Sequence, residues 1–282
     1  MSDMVICVLD NETKKEPRSS RPALRRVHDS LHALAYNPDD TASAINRRQP
    51  LESSSASLMK SLEEVVYDNP VLLSDFLQID ILIDTPRFAI VPDDIIAGDS
   101  DMTQSLLIKA IGEEAASGEV IVDDMTHIGA TIVMSVDSDI TAFMRRTFNN
   151  PTIRHNLSPQ CRYFFDKNRI DNAGKMYVNL RRDAMDIIVL GNDSLRMANT
   201  FRFRDIMDAV YYIMACREML DLDPAGNELL IAGDEALRDE ITPILRKFLG
   251  YVMPVVPPAY VPKDDEQWEK APFDLIILPL CE

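Results

Sequence analysis

The sequence predicts an α/β protein made of two tandem units, each a three-stranded antiparallel meander that feeds parallel strand–helix crossovers. Three observations predict it. Short strand-like segments broken by turn signals occur around His28-Asp29-Ser30 and Asn37-Pro38-Asp39-Asp40, and again in MYVNLRRDAMDIIVLGNDSLRMANTF at 176–201. Each group is followed by helical periodicity and then by an apolar strand, ILID at 81–84 and ELLIAGD at 228–234. The chain, at 282 residues, is long for one compact core and comfortable for two.

The elements follow in order. Residues 1–21 read as a flexible, solvated N-terminal arm, because cations at Lys14, Lys15 and Arg18 stand among Pro17, Ser19 and Ser20. A short strand at Met4–Leu9 is a minor expectation within it. After the first meander, Leu58, Leu62, Val65 and Val66 recur at helical spacing over Ser53–Tyr67, with serines placed as caps. ILIDTPRFAIVP gives a buried strand, a turn at Thr85-Pro86 and a second strand ending at Pro92. A helix over Met102–Ala116, a strand pair EVIVDDM and HIGATIVMSV, a helix over Asp139–Phe148, a strand at Thr152–His155 and a helix over Ser158–Asn168 complete the first half. In the second half, Leu195, Met197, Asn199, Phe201 and Phe203 share one strand face. Asp205 caps a helix running to Leu220. Its middle, AVYYIMAC, is apolar nearly all round and predicts burial on both sides. ELLIAGD is a strand ending in Gly233, a helix runs on to Leu249, YVMPVV is a last strand, and FDLIILP is read as one more. The domain organisation expected is an arm (1–21), a first lobe with an inserted helix and hairpin (22–170), and a second lobe with a proline-rich C-terminal tail (171–282).

A three-stranded meander feeding parallel crossovers is the ribonuclease H-like unit. Two in tandem give the actin-like ATPase architecture, with an interlobe cleft.

Composition narrows the function. The formal charge of −17, without a compensating basic stripe, argues against nucleic acid as a partner. The longest stretch free of charged side chains, Phe248–Pro262, is proline-broken and too short to cross a bilayer, so no membrane insertion is expected. The N-terminus has an acid before a short apolar run and is not a secretory signal; the location expected is cytoplasmic. Cys7, Cys161, Cys216 and Cys281 are far apart, which leaves zinc and redox motifs unsupported. Only nine glycines occur, none within five residues of another, so neither GxGxxG nor a Walker loop exists.

The segments ILIDTPRFAIVP (81–92), KMYVNLRRDAMDIIVL (175–190), NTFRFRDIMDAVYYIMACREMLDL (199–222) and ELLIAGD (228–234) resemble an uncharacterised bacterial family, a domain of unknown function whose fold is similar to that of the actin-like ATPases. The similarity covers roughly residues 22–255 by pattern. In active members of the wider superfamily the first hairpin of each meander carries an Asp-x-Gly type loop whose amides hold phosphate. The resemblance places the equivalents at His28-Asp29-Ser30-Leu31 and Leu180-Arg181-Arg182-Asp183, and neither contains glycine. Side chains at such turns block close approach of main chain to phosphate and disfavour positive φ. Arg181 and Arg182 could instead hold an anion by side chain. A charged, solvated hairpin turn is the plainer reading. The resemblance also sets Gly233 where the superfamily turns from strand to helix against the adenosine, and Asp84 near the attacking water. The alternatives are a glycine needed for helix–strand packing and a turn aspartate before Thr85-Pro86.

Other chemistries are weaker. A ribonuclease H-like nuclease would need converging carboxylates, with Asp29, Glu63 or Glu64, and Asp84 as candidates, on a strongly acidic chain. His28 and His32 straddle a turn and do not form a helical metal pair. DLDPAGNELLIA lacks the acid that a calcium loop needs at its last position, where Ala232 stands. Phe201, Phe203, Tyr211 and Tyr212 read as core. No nucleophile elbow or Ser/His/Asp order is visible. The expectation is a non-catalytic interaction or scaffold protein with a protein partner, no metal site and no cofactor. The alternative is an ATPase or phosphotransferase that holds ATP by Arg181 and Arg182, with Asp84 near magnesium.

Overall fold

The computed structural model describes residues 21–27, 30–37, 40–50, 55–68, 79–96, 100–114, 116–171, 174–191, 194–262 and 265–281. The expected arm, the Met4–Leu9 strand and the His28-Asp29 part of the first turn therefore lie outside the described residues. The described residues divide into two compact units: those up to 158, with those of 258–280, form one, and those of 159–257 with Cys281 form the other.

In the first unit the meander is β1 (Arg21–Val27), β2 (Ser30–Asn37) and β3 (Asp40–Pro50), paired antiparallel. Helix α1 (Ser55–Asp68) leads on towards β4 (Asp80–Ile83), which pairs parallel with β1. An inserted block follows, made of β5 (Phe88–Pro92), α2 (Asp93–Ile96), α3 (Ser100–Ile111), β6 (Glu119–Met125), β7 (Ala130–Val136) and α4 (Ser138–Thr147). Its strands form a separate antiparallel sheet in the order β5-β7-β6. The chain then returns as β8 (Thr152–His155), parallel to β4, completing the order β3-β2-β1-β4-β8. Strand β6 alternates because one side faces the core and the other faces water: Ile121, Asp123 and Met125 are buried, Val122 and Asp124 exposed. Leu34, Leu62, Val66, Ile81 and Ile83 pack into one apolar cluster of this unit.

The C-terminal residues depart from the expected second-lobe tail. Trp268 and Leu275 are buried in the first unit's core, on α8 (Glu266–Glu269) and α9 (Phe273–Ile277). Gln267 Oε1 accepts the Asn46 amide (3.0 Å) on β3, the edge strand of its sheet. Burial of Trp268 with Ala271, Leu275, Ile276 and Leu278 in that core places the segment in the first unit. FDLIILP is a helix and not a strand. A short apolar run suits either, and here the Pro272 carbonyl accepts the Leu275 and Ile276 amides at 3.0 Å, starting a helical turn.

Helix α5 (Leu157–Asp171) begins at the end of the first unit and passes into the second, so the division falls at 158/159 and not at 170/171. The cause lies in its contacts: Phe164 stacks on Tyr177 with ring centroids 4.0 Å apart, and Asn168 Nδ2 donates to the Gly191 carbonyl at 2.9 Å. The second meander is β9 (Lys175–Leu180), β10 (Ala184–Leu190) and β11 (Leu195–Arg202). Helix α6 (Ile206–Met219), β12 (Glu228–Gly233), α7 (Glu235–Leu245) and β13 (Val252–Pro254) follow, giving the sheet order β11-β10-β9-β12-β13. Strands β9, β12 and β13 are parallel and the meander is antiparallel. Asp205 caps α6 as its position predicts, accepting the amides of Met207 (2.8 Å) and Asp208 (3.2 Å). The helix buries Ala209, Val210, Ile213 and Cys216. Its other side is open: Met207, Tyr211 and Met219 are 56%, 68% and 67% exposed, which corrects the expectation of burial on both sides and of Tyr211 as core.

Candidate functional site

In the second unit, parallel strands β9 and β12 end together, with Leu180 opposite Gly233. Gly233 has φ +91°, and a Cβ there would lie 2.0 Å from the Leu180 carbonyl oxygen. The glycine is thus demanded by strand packing. The next residue, Asp234, donates its amide to that same carbonyl (2.9 Å) and caps α7 by accepting the Leu237 amide (3.0 Å).

The β9–β10 turn is closed by the Arg181 amide, which donates to the Ala184 carbonyl at 2.8 Å, leaving Arg182 and Asp183 at the tip. Among the described non-glycine residues only Asn150 and Asp221 take positive φ, so this tip uses ordinary backbone conformations. Arg182 is exposed. Asp183 is half-buried, and its carboxylate stands 3.5 Å from the Arg202 guanidinium, a half-exposed pair of little energetic weight.

Arg181 points elsewhere. Its side chain is 7% exposed, and Nη2 donates to Asp186 Oδ1 at 2.6 Å. Asp186, in the middle of β10, is fully buried and also accepts from Thr200 Oγ1 (2.8 Å), Gln160 Nε2 (2.8 Å) and Asn179 Nδ2 (3.3 Å). A carboxylate with four donors, one of them cationic, is a stable resting place for a buried charge. The side-chain anion contact considered for Arg181 is therefore replaced by an internal ion pair. The sequence carried a sign of this: Asp186 is the one charged residue in AMDIIVL, a strand otherwise apolar throughout.

In the first unit, Asp84 and Thr85 are buried where β4 ends. Thr85 Oγ1 accepts the Arg87 amide at 3.1 Å, the local turn expected of this stretch. The neighbouring strand β8 ends in His155, which is fully buried beside the Phe88 ring, with centroids 4.2 Å apart. His155 Nδ1 accepts the Leu157 amide (3.2 Å), so Nε2 carries the proton and donates to the Thr85 carbonyl (3.0 Å). The His155 amide in turn donates to Asp123 Oδ2 at 2.8 Å. Burial pushes the Asp123 carboxyl up to about 7, against the opposing pull of the His155 amide, the Arg154 guanidinium and the Ser158 hydroxyl. Arg154 lies between two acids, 3.7 Å from Asp123 and 3.6 Å from Asp80. Asp123 and His155 were not singled out from sequence, because each sits within an ordinary strand pattern. Ser30 opens β2 opposite Val27, while Asp29 lies outside the described residues.

A triphosphate held by main-chain amides does not fit the β9–β10 turn, which has no glycine, no positive φ and a carboxylate at its tip. Among the described residues, no group of three or more His, Cys, Asp or Glu side chains could hold a metal ion. Nor is any described helix long and apolar enough to cross a membrane.

Residues 24–252 match the family model described as a protein of unknown function, DUF3822. The chain belongs to the DUF3822 family. Among solved structures, this member is similar to a Bacteroides thetaiotaomicron VPI-5482 protein with an actin-like ATPase fold and unknown function, at 21% identity and a TM-score of 0.76, over 88% of this chain and 94% of that one. It is also similar to a chain of the PilM–PilN type IV pilus biogenesis complex, at 12% identity and a TM-score of 0.55, over 99% and 97%. No curated protein matches the sequence. These likenesses show the actin-like ATPase fold, as the tandem meanders predict.

Proposed function

We propose that this DUF3822 protein is a non-catalytic, cytoplasmic interaction or scaffold module that works through a protein partner and uses no nucleotide cofactor. One observation carries the reading: the guanidinium best placed to replace a glycine-rich phosphate loop, that of Arg181, is buried on Asp186 at 2.6 Å. The remaining exposed cation of the turn, Arg182, is followed by Asp183, which stands 3.5 Å from Arg202, so the tip offers side-chain charge but no glycine to bring main chain against a phosphate. The PilM–PilN structure, in which a chain of similar fold belongs to a protein complex, supports the partner-based role by analogy of fold alone.

Thermal denaturation with millimolar ATP and magnesium tests the reading. A ligand present at about 1,000 times its Kd adds roughly 4 kcal/mol and raises Tm by several degrees. The expected outcome is no shift. A clear rise that Arg182→Ala abolishes would instead establish a nucleotide-binding protein that uses side-chain phosphate contacts.

A further inference from the structure

Helix α6 is apolar nearly all round, yet only one side of it is covered. Met207, Tyr211 and Met219 stand out from it at 56%, 68% and 67% exposure. Met207 and Tyr211 are four residues apart and share a face; Met219 extends the apolar surface to the helix end, roughly 18 Å away at 1.5 Å per residue. Tyrosine and methionine suit such a surface, the first as a stiff anchor and the second as an adaptable filler.

The charge around this face is mainly negative, with exposed Arg204 the one cation beside it at the N-terminal end. Asp205 and Asp208 lie at its N-terminal end, and Glu218 at its C-terminal end. The only cation in α6, Arg217, is 2% exposed and turned inward, with Nη2 donating to the Asp223 and Asn227 carbonyls at 2.9 and 3.2 Å. The helix thus presents apolar side chains between carboxylates, with its one positive charge withdrawn. A second copy of this chain, itself at −17, and an anionic lipid surface would both be repelled. The edge strand β13 is a poor site for strand addition: Pro254 has no amide hydrogen, and the Arg246 guanidinium occupies the Val252 carbonyl at 2.9 Å.

We propose that the outward face of α6 docks a helical segment of a partner protein, apolar along one side and flanked by lysine or arginine. The proposal rests on the interaction-module reading and names the class of partner. An amphipathic helix meets such a face through anchors spaced three and four residues apart, and its cations meet the carboxylates at the two ends.

The probe is a fluorescein-labelled 18-residue Leu/Lys amphipathic helix, with a Leu/Glu helix as its acidic counterpart, titrated with the full chain at physiological salt and read by anisotropy. The Leu/Lys peptide is expected to bind saturably and the Leu/Glu peptide not at all. Binding should weaken at least tenfold in Tyr211→Ser and in the pair Met207→Ser with Met219→Ser. It should be unchanged in Glu235→Gln with Asp239→Asn, which removes exposed acids from α7. These are surface changes, so an unaltered melting temperature certifies the fold. The proposal is overturned if the Leu/Lys peptide fails to bind, or binds Tyr211→Ser equally well. It is overturned too if sedimentation finds a dimer that Tyr211→Ser dissolves, since a second copy then owns the face. Binding that appears only after removal of residues 1–20 would give the face to the chain's own N-terminus, and also overturns it. A melting shift with ATP and magnesium defeats the cofactor-free reading whether or not the peptide binds, whereas lost peptide binding without such a shift defeats only this surface.

Discussion

The two arginines of the β9–β10 turn are adjacent in sequence and opposite in role. Arg181 is 7% exposed on a fully buried carboxylate, and Arg182 faces water. Arg181→Ala strands the Asp186 charge among neutral donors and should cost about 3–5 kcal/mol. Arg182→Ala should stay within about 0.5 kcal/mol. Urea denaturation of the two variants checks the contrast, and equal small losses would contradict the buried pair. Asp123 gives a pH dependence of definite sign. Its carboxyl titrates at about 7 when folded against 3.8 for the free group, so between those values the folded state holds a proton that the unfolded state gives up. Its contribution is therefore greatest below pH 4, declines as the pH rises to about 7, and is level above. The full loss is at most about 4 kcal/mol. Asp123→Asn, whose amide oxygen can still accept the His155 amide, should flatten the decline of Tm between pH 4 and 7. A wild-type slope that persists in the variant would assign it to other groups. Neither acid was singled out in the sequence. Turn chemistry is local and shows in the residue types, whereas the partners of Asp186 come from Gln160, Asn179, Arg181 and Thr200 and are assembled only by pairing of the strands.

At the scale of elements, the legible features were those in which period and punctuation agree. Both meanders, the crossover helices and the Asp205 cap follow from alternation, helical spacing and turn residues. FDLIILP and α6 depart from expectation for a shared reason. A continuous apolar run states that something is buried, but not whether as strand or helix, nor on how many sides. The site shows the same division. The absence of glycine from 180–183 could be read directly, while the strand-to-strand contact that demands Gly233 and the inward turn of Arg181 could not. Gly233 and Gly129 separate space from conformation. Both have positive φ, +91° and +68°, but an added Cβ at Gly233 meets the Leu180 oxygen at 2.0 Å and one at Gly129 meets nothing within 4 Å. Gly129→Ala should cost only the left-handed backbone penalty of about 1–2 kcal/mol. Gly233→Ala must also push β12 from β9 and should cost more than about 4 kcal/mol or prevent folding of the second unit. Denaturant midpoints and soluble yield of the two variants decide it, and equal losses would show that the strand ends yield more readily than their contact implies.

The whole molecule holds two units, each with its own apolar core, and the chain enters the first of them twice. A unit with its own core can lose its structure as a unit. The one tryptophan makes this observable. Trp268 is the only indole in the chain, is 1% exposed, and lies in the first core, so its emission follows that unit alone. Backbone circular dichroism follows both. Arg181→Ala, in the second unit, should therefore move the dichroism transition to lower denaturant and leave the Trp268 emission transition in place. Trp268→Phe should do the reverse in hydrogen exchange, speeding amides of β1 and β4 while those of β9 and β12 keep their protection. Loss of the large side chain is felt where its contacts are, because close-packed interiors relax only partly around a missing group. If Arg181→Ala shifts both signals by the same amount, the two cores unfold as one cooperative body, and the destabilisation of either would then be shared by the whole chain.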